Sequence, residues 1–121
     1  MLSIHLYEVP EVLEAVLGST GAERVLIVIA GRGKAYAREI AKIFDLNPPA
    51  VHKQLDRMER DGLLVSQEVG RTRVYEFNPR FAFREELQAM LEKALSMYPQ
   101  EIQDEILLER RRPRRKGKPL K

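Results

Sequence analysis

This sequence contains no cysteine and no tryptophan, and only two of its 121 residues are histidines. Without cysteine there are no disulfide bonds, no thiolate metal ligands and no cysteine nucleophile. The two histidines, His5 and His52, are too few for a histidine-rich metal cluster. We therefore expect neither a metal site nor a cofactor in this chain.

Long hydrophobic runs are also lacking. The longest, residues 25–30 (VLIVIA), is far shorter than the ~20 residues that a membrane-spanning helix needs. The N-terminal sequence MLSIHLYEVPEV lacks the basic start and long apolar stretch of a signal peptide. These absences predict a cytoplasmic protein without membrane association, and a length of 121 residues predicts one domain with a modest core.

Residue sets typical of enzymes are absent as well. We find no Ser/His/Asp set, no paired carboxylates in an apolar setting and no glycine loop suited to phosphate. Gly31-Arg32-Gly33 is interpreted as a helix end and turn. The chain is therefore not expected to be an enzyme.

Charge is present but unevenly distributed. Residues 110–121 hold eight Lys/Arg and no acid, so removing them from the net +3 leaves −5 on residues 1–109. Within that body, residues 32–84 carry a net charge of +4 and residues 85–109 a net charge of −6. A basic middle, an acidic flank and a basic tail favour contact with nucleic acid through one face.

The most informative pattern lies in residues 35–77. An amphipathic helix over about residues 34–44 precedes a short turn and a second amphipathic helix that a glycine ends. Strands over residues 63–69 and 73–78 then flank a Gly-Arg turn. This order predicts a mainly α fold with a small β-hairpin, the winged helix-turn-helix. Such a fold places its second helix in the DNA major groove and its hairpin, or wing, alongside.

Two helix starts can be predicted from their capping residues. Asn47 is a favourable N-cap for the second helix. Because Pro48 precedes another proline, its helical conformation is disfavoured, and we expect that helix to begin at Pro49. For an earlier helix, which ends near Gly31, Thr20 and Glu23 fit a capping box, in which each side chain binds the other residue's amide.

The chain divides into four parts. Residues 1–19 form an N-terminal segment with a helix from about Pro10, and residues 20–98 form the winged helix-turn-helix with a dimerisation helix. Residues 99–109 form a C-terminal helix, and residues 110–121 form a basic tail whose composition predicts disorder.

The DNA-contacting residues follow from helical geometry. On the second helix, Val51, Leu55 and Met58 share one face, and at ~100° per residue the charged positions lie opposite. We expect Lys53 and His52 to contact bases and Arg57 to contact phosphate, while Gln54 turns toward the helix edge. The full predicted DNA-binding set is Asn47, Pro49, His52, Lys53, Arg57, Arg60, Arg71 and Arg73.

Three further residues near this face need separate treatment. Arg32 and Lys34 precede the first helix of the motif and are further candidates for the DNA backbone. Asp56 does not fit the predicted DNA-binding face, since a carboxylate on that face repels phosphate. It either pairs with Lys53 or Arg60 or accepts from a cytosine amino group.

The segments REIAKIFDLNPPAVHKQLDRMERDGLL and GRTRVYEFNP resemble the ArsR-like and MarR-like winged helix-turn-helix regulators of bacteria and archaea. The resemblance spans about residues 20–98. It implies a homodimer that binds an inverted-repeat operator and usually represses transcription. The ArsR metal sensors carry Cys-x-Cys where this chain has AKIFDLN, so thiolate sensing is excluded and any small-molecule inducer is unknown. The paired prolines replace polar residues that are usual after the turn.

Dimerisation is expected to use the helix after the wing, which we predict to run from an Asn78-Pro79 start to about Met97. Its apolar stripe gives the predicted dimerisation residues, which are Leu87, Met90, Leu91, Leu95 and Tyr98. The same stripe also fits the closing of a monomer core. Two other functions stay open: a winged-helix protein-interaction module, such as an adaptor or antitoxin-like partner, and RNA binding through the tail.

Overall fold

The helix α2 (Thr20–Arg32) lies at the centre of the computed structural model, which describes residues 9–107. All of its residues from Ala22 to Gly31 are buried. An apolar run such as VLIVIA has no polar side to turn to solvent, so the other elements surround it. These are α1 (Glu14–Leu17), α3 (Ala37–Phe44), α4 (Pro48–Arg60), β1 (Leu64–Val69), β2 (Thr72–Phe77) and α5 (Arg84–Leu95), followed by a C-terminal helix over residues 100–107.

Strands β1 and β2 form an antiparallel hairpin in which Leu64 pairs with Phe77 at the root and Val69 with Thr72 at the tip. The root is apolar and buried, whereas the tip is exposed. A short bridge from Ala35 to Tyr75 adds two backbone hydrogen bonds, of 3.0 and 2.8 Å. This bridge fixes the hairpin to the segment that leads into α3, while the tip projects from the body.

The C-terminal helix packs against α2 at a residue without a side chain. A Cβ placed on Gly31 would lie 2.6 Å from a methyl group of Ile106 and 3.2 Å from a methyl group of Leu95. A contact of 2.6 Å essentially never occurs between real carbon atoms, and one of 3.2 Å is unusually tight. Gly31 is therefore an interior residue of α2 that admits the C-terminal helix, and the helix ends two residues later at Gly33, with φ 87°.

Arg32 joins the C-terminal helix to α3. Its guanidinium donates to the carbonyl oxygens of Ile106 at 2.7 Å and Glu105 at 3.0 Å. It also forms a half-buried ion pair with Glu39. Glu39 in turn accepts from the backbone amide of Tyr36 at 3.1 Å, which caps α3. The arginine expected at the DNA backbone is thus held inside the fold.

A buried polar cluster connects the N-terminal segment to the end of α5. Glu23 is fully buried, and its carboxylate accepts from the amides of Leu13 at 2.8 Å and Val12 at 3.2 Å and from the Tyr98 hydroxyl. Burial and this hydrogen bond raise the pKa of Tyr98, so its hydroxyl stays protonated and donates. Arg24, 3.7 Å from the Glu23 carboxylate, supplies the countercharge.

The same arginine completes the cluster. Its guanidinium donates to the Pro10 carbonyl at 2.9 Å and to the Tyr98 hydroxyl. It also lies 5.3 Å from the ring centres of both Phe44 and Tyr98. Every fully buried side-chain nitrogen and oxygen atom within residues 9–107 has a hydrogen-bond partner.

The predicted winged helix-turn-helix is confirmed, with corrections at several helix starts. α2 is capped by Ser19, whose hydroxyl accepts from the amide of Ala22 at 3.0 Å. The prediction of a Thr20–Glu23 capping box was wrong, because the Glu23 carboxylate turns into the core. α4 begins at Pro48 rather than Pro49, since the first turn of a helix needs no amide from either proline.

The third correction concerns α5, which begins at Arg84 instead of following Asn78 directly. The Asn78 side chain accepts from the amide of Arg80 at 2.9 Å and donates to the carbonyl of Gly62 at 3.0 Å. It therefore stabilises a turn at the root of the hairpin. The N-terminal helix is likewise shorter than predicted and covers Glu14–Leu17 only.

None of the helices within residues 9–107 is both long enough and apolar enough to cross a bilayer. The basic tail over residues 110–121 lies outside the described residues, as do residues 1–8 and the last two residues of the predicted C-terminal helix.

Candidate nucleic-acid interface

The turn between α3 and α4 fixes the direction in which α4 leaves the core. α3 ends at Phe44, its C-cap Asp45 has a left-handed φ of 55°, and the amide of Leu46 donates to the carbonyl of Ala41 at 2.8 Å. Asn47 then caps α4, its side-chain oxygen accepting from the amide of Ala50 at 3.1 Å. The side-chain amide nitrogen of Asn47 remains for other contacts.

One face of α4 is anchored and the other is in solvent. Val51, Leu55 and Met58 are at most 2% exposed and pack into the core. The opposite face carries the remaining long side chains of the helix. Its exposed members are Pro49, His52, Lys53, Asp56, Arg57 and Arg60. Together with the exposed residues Arg38, Arg71 and Arg73 they make up what we call the recognition surface.

The charged side chains of α4 differ in how they are held. Arg57 donates to the side-chain oxygen of Gln54 at 2.7 Å, which orients its guanidinium along the helix. Arg60 lies 3.8 Å from the carboxylate of Asp61, and both are well exposed. No hydrogen bond or ion pair within residues 9–107 involves the Lys53 ammonium, which is therefore available to a ligand.

The wing places its two arginines differently. Gly70, with φ 65°, forms the turn and leaves Arg71 exposed at the tip. Arg73 is drawn back along the hairpin, donating to the carboxylate of Glu68 at 3.1 Å and to the hydroxyl of Ser66 at 2.9 Å. Its charge is thus partly neutralised, whereas Arg71 has no such partner among the described residues.

A hydrogen bond connects the wing to α4. The Ser66 hydroxyl donates to the Glu59 carboxylate at 2.8 Å. Together with the root of the hairpin, this contact sets the position of the wing relative to the exposed face of α4. A ligand contacted by both elements meets them in a fixed arrangement.

A cleft of about 400 Å³ separates the N-terminal end of α3, the exposed face of α4 and the wing. Burial raises the pKa of the Tyr75 phenol at its base, with smaller contributions from the carboxylates of Asp56 and Glu59. That phenol is therefore neutral at physiological pH. The lining residues are Tyr36, Ala37, Arg38, His52, Asp56, Arg71, Thr72, Arg73 and Tyr75.

Sequence reasoning missed Arg38. It occupies the second position of α3, is exposed, and lines the cleft with His52 and Arg71. A helical wheel of α3 places Arg38 on the face opposite Ile40, Ala41 and Phe44, but it does not show that this face lies beside α4 and the wing. The fold thus brings together the predicted α4 and wing residues and adds this arginine.

The five residues predicted for dimerisation do not share one environment. Leu91, Leu95 and Tyr98 are at most 6% exposed within a single chain, where they pack against α2 and the C-terminal helix. Leu87 and Met90 are half-buried. Dimerisation through this set stays a prediction. Only Leu87 and Met90 offer surface to a partner in this conformation.

Comparison with known protein families finds a match to the central part of the chain. Residues 23–73 match the family model described as the MarR family. This range covers less than half of the 121 residues. None of the curated proteins matches the chain. The match supports the MarR-like part of the resemblance and includes α3, α4 and β1, together with the start of β2.

Solved structures share the fold. The crystal structure of the AntR antimony-specific transcriptional repressor is 25% identical, with a TM-score of 0.55, and the similarity covers 70% of this chain and 72% of that one. YusO from Bacillus subtilis is 23% identical, with a TM-score of 0.51 and coverage of 73% and 67%. A mutant of Lactococcus lactis ZitR in its apo form is 20% identical, with a TM-score of 0.50 and coverage of 64% and 62%. The last two show a common fold only.

Proposed function

We propose that this protein is a DNA-binding transcriptional regulator that inserts α4 into the major groove. The observation that carries the proposal is the recognition surface. Its cationic groups come from three elements and include Arg38, Lys53, Arg57 and Arg71, which are exposed around one helix whose opposite face is buried. The family match over residues 23–73 and the similarity to a transcriptional repressor support it.

We propose different tasks for these groups. Lys53 and His52 lie in the first half of α4, the part that enters the groove in helix-turn-helix proteins. A lysine donates to the O6 and N7 acceptors of guanine. Arg38 and Arg71 flank the helix on α3 and on the wing, where they suit the phosphates on either side of the groove.

Replacing Lys53 or His52 with alanine tests this assignment. Each variant is expected to weaken binding to the preferred site by ~1–3 kcal/mol and to reduce discrimination between sites. Selection from a random duplex library, followed by titration of the selected site, measures both effects. Lys93→Ala removes an exposed lysine from α5, away from the recognition surface, and serves as the control. Unchanged sequence preference in both variants would show that another face reads the DNA.

The same titrations separate DNA binding from the protein-interaction alternative. A regulator binds duplex DNA with a sequence preference and with an affinity that falls as salt rises. A protein-interaction module shows no preference in the selection and co-purifies with a stoichiometric protein.

We further propose that the regulator acts as a homodimer on an inverted repeat, as a repressor, in the cytoplasm. Two exposed apolar side chains support a partner surface outside the core: Val16 in α1 is 67% exposed and Met97 after α5 is 59% exposed. Met97 and Val9 line a common cleft of about 760 Å³ between the N-terminal segment and the residues after α5. Covering an exposed apolar side chain with a second copy of the chain lowers the free energy of the system, because apolar surface is removed from water.

Charges at these two positions test the dimer. Val16→Glu combined with Met97→Glu is expected to convert a micromolar dimer to a monomer with unchanged helical content. Light scattering and circular dichroism measure the two properties. Val69→Glu, at a side chain on the wing that is 54% exposed, is the control and should leave the mass unchanged. Leu91 and Leu95 are unsuitable because charging them disrupts the core. A monomeric wild type, or a dimeric double variant, would contradict this surface.

A further inference from the structure

Asp56 is the only carboxylate among the described residues that line the recognition surface. With His52 it borders both the cleft beneath the wing and the concave surface along α4. It is exposed, and the groups around it are mostly cationic. A negative charge here repels every phosphate, so it lowers affinity for DNA of any sequence.

The carboxylate of Asp56 is not neutralised by its neighbours on the helix. Within residues 9–107 it has no hydrogen bond or ion pair, although Lys53 precedes it by three residues and Arg60 follows it by four. The guanidinium of Arg60 lies instead near Asp61. Both oxygens of Asp56 are therefore free to accept from a ligand.

The major groove offers few donors to such an acceptor. Guanine presents N7 and O6 and thymine presents O4, all of which are acceptors that a carboxylate repels. Adenine presents its N6 amino group beside the acceptor N7, whereas cytosine presents the N4 amino group as its only polar group. Cytosine is thus the base whose edge best matches a carboxylate.

We propose that Asp56 is a specificity-determining residue that selects a cytosine by accepting from its N4 amino group. This inference rests on the proposed insertion of α4 into the major groove. The general loss of affinity caused by the charge is then offset at sites that place a cytosine opposite it. Discrimination between sites increases because both effects act against all other bases.

Asp56→Asn gives the sharpest test, since asparagine is nearly isosteric and forms two hydrogen bonds to adenine N6 and N7. The wild type is expected to select cytosine at one position of its site. In the variant, the preference at that position should fall about tenfold or more, or change to adenine, while the other positions keep theirs. Affinity for unrelated DNA should rise several-fold because a negative charge is lost.

Asp61→Asn is the matched control. It removes the same charge from the exposed C-terminal end of α4, outside both clefts. It should raise general affinity without changing any base preference. Both variants and the wild type are compared by selection from random duplexes and by titration against the wild-type site and its single-base variants.

The outcomes distinguish a failure of this inference from a failure of the proposed DNA-binding function. A wild type without any sequence preference overturns the proposed regulator, and the role of Asp56 with it. A wild type with a preference that Asp56→Asn retains at every position overturns the role of Asp56 alone. In that case the carboxylate is only a repulsive charge. Loss of the preference at several positions at once also counts against a contact with one base.

Discussion

Replacing Glu23 with glutamine is expected to lower the free energy of unfolding by about 3–5 kcal/mol, the usual cost of breaking a buried charge pair from one side. The carboxylate accepts from the amides of Val12 and Leu13 and from the Tyr98 hydroxyl. Glutamine has one oxygen, so its NH₂ group would face a donor. Arg24 would also keep its charge in a buried site without a counterion. Thermal or chemical unfolding followed by circular dichroism measures the loss.

Two variants show whether the cluster is responsible. Glu86→Gln changes the same group on the exposed part of α5 and should alter stability by less than about 0.5 kcal/mol. Tyr98→Phe removes one hydroxyl but leaves both backbone amides bound to Glu23, so its effect should lie between the two. If Glu23→Gln and Glu86→Gln have the same free energy of unfolding, the buried cluster contributes little to stability.

Deleting residues 110–121 is expected to weaken binding to all DNA sequences alike. The segment holds eight Lys/Arg and no acid. Each phosphate that a cation neutralises adds roughly 0.9 to the slope of log affinity against log salt, because counterions are released. The truncated protein should therefore show a salt dependence flatter by several units. Its sequence preference should be retained, since α4 and the wing are intact.

The matched control keeps the length and removes the charge. A full-length variant with glutamine at all eight basic positions should behave like the truncated protein in binding titrations across a salt series. Identical slopes for the wild type and both variants would exclude the segment from DNA binding. A glutamine variant that binds like the wild type would show that chain length, rather than charge, matters.

The fold was predictable where local signals agree with tertiary packing. Asn47, the two prolines and the glycine after α4 mark one helix, and the buried face at Val51, Leu55 and Met58 follows from its period. Capping predictions failed where a distant partner competes for the residue. Glu23 has the spacing of a capping box, but it is buried by residues of the N-terminal segment and by Tyr98, which lies 75 positions away in the chain.

The site was predictable in outline for a similar reason. Residues on one helix can be assigned to a face from sequence alone, which placed His52, Lys53 and Arg57 on the exposed face of α4. Arg38 and Arg32 required the tertiary structure. Arg38 reaches the cleft only because α3 crosses beside α4. Arg32 turns inward because the carbonyl groups of Glu105 and Ile106 lie beside it. The apolar stripe of α5 likewise does not reveal whether its own chain or a partner covers it.

The position of Arg32 also limits how far the basic segment can act. By joining Glu105 and Ile106 to Glu39, it fixes this part of the C-terminal helix relative to α3. The twelve residues 110–121, even fully extended, span at most about 40 Å at ~3.3–3.6 Å each. That is close to one helical turn of DNA, ~34–36 Å. We therefore expect the segment to act as a short tether, with a high effective concentration on phosphates next to the bound site and none on those farther along the duplex.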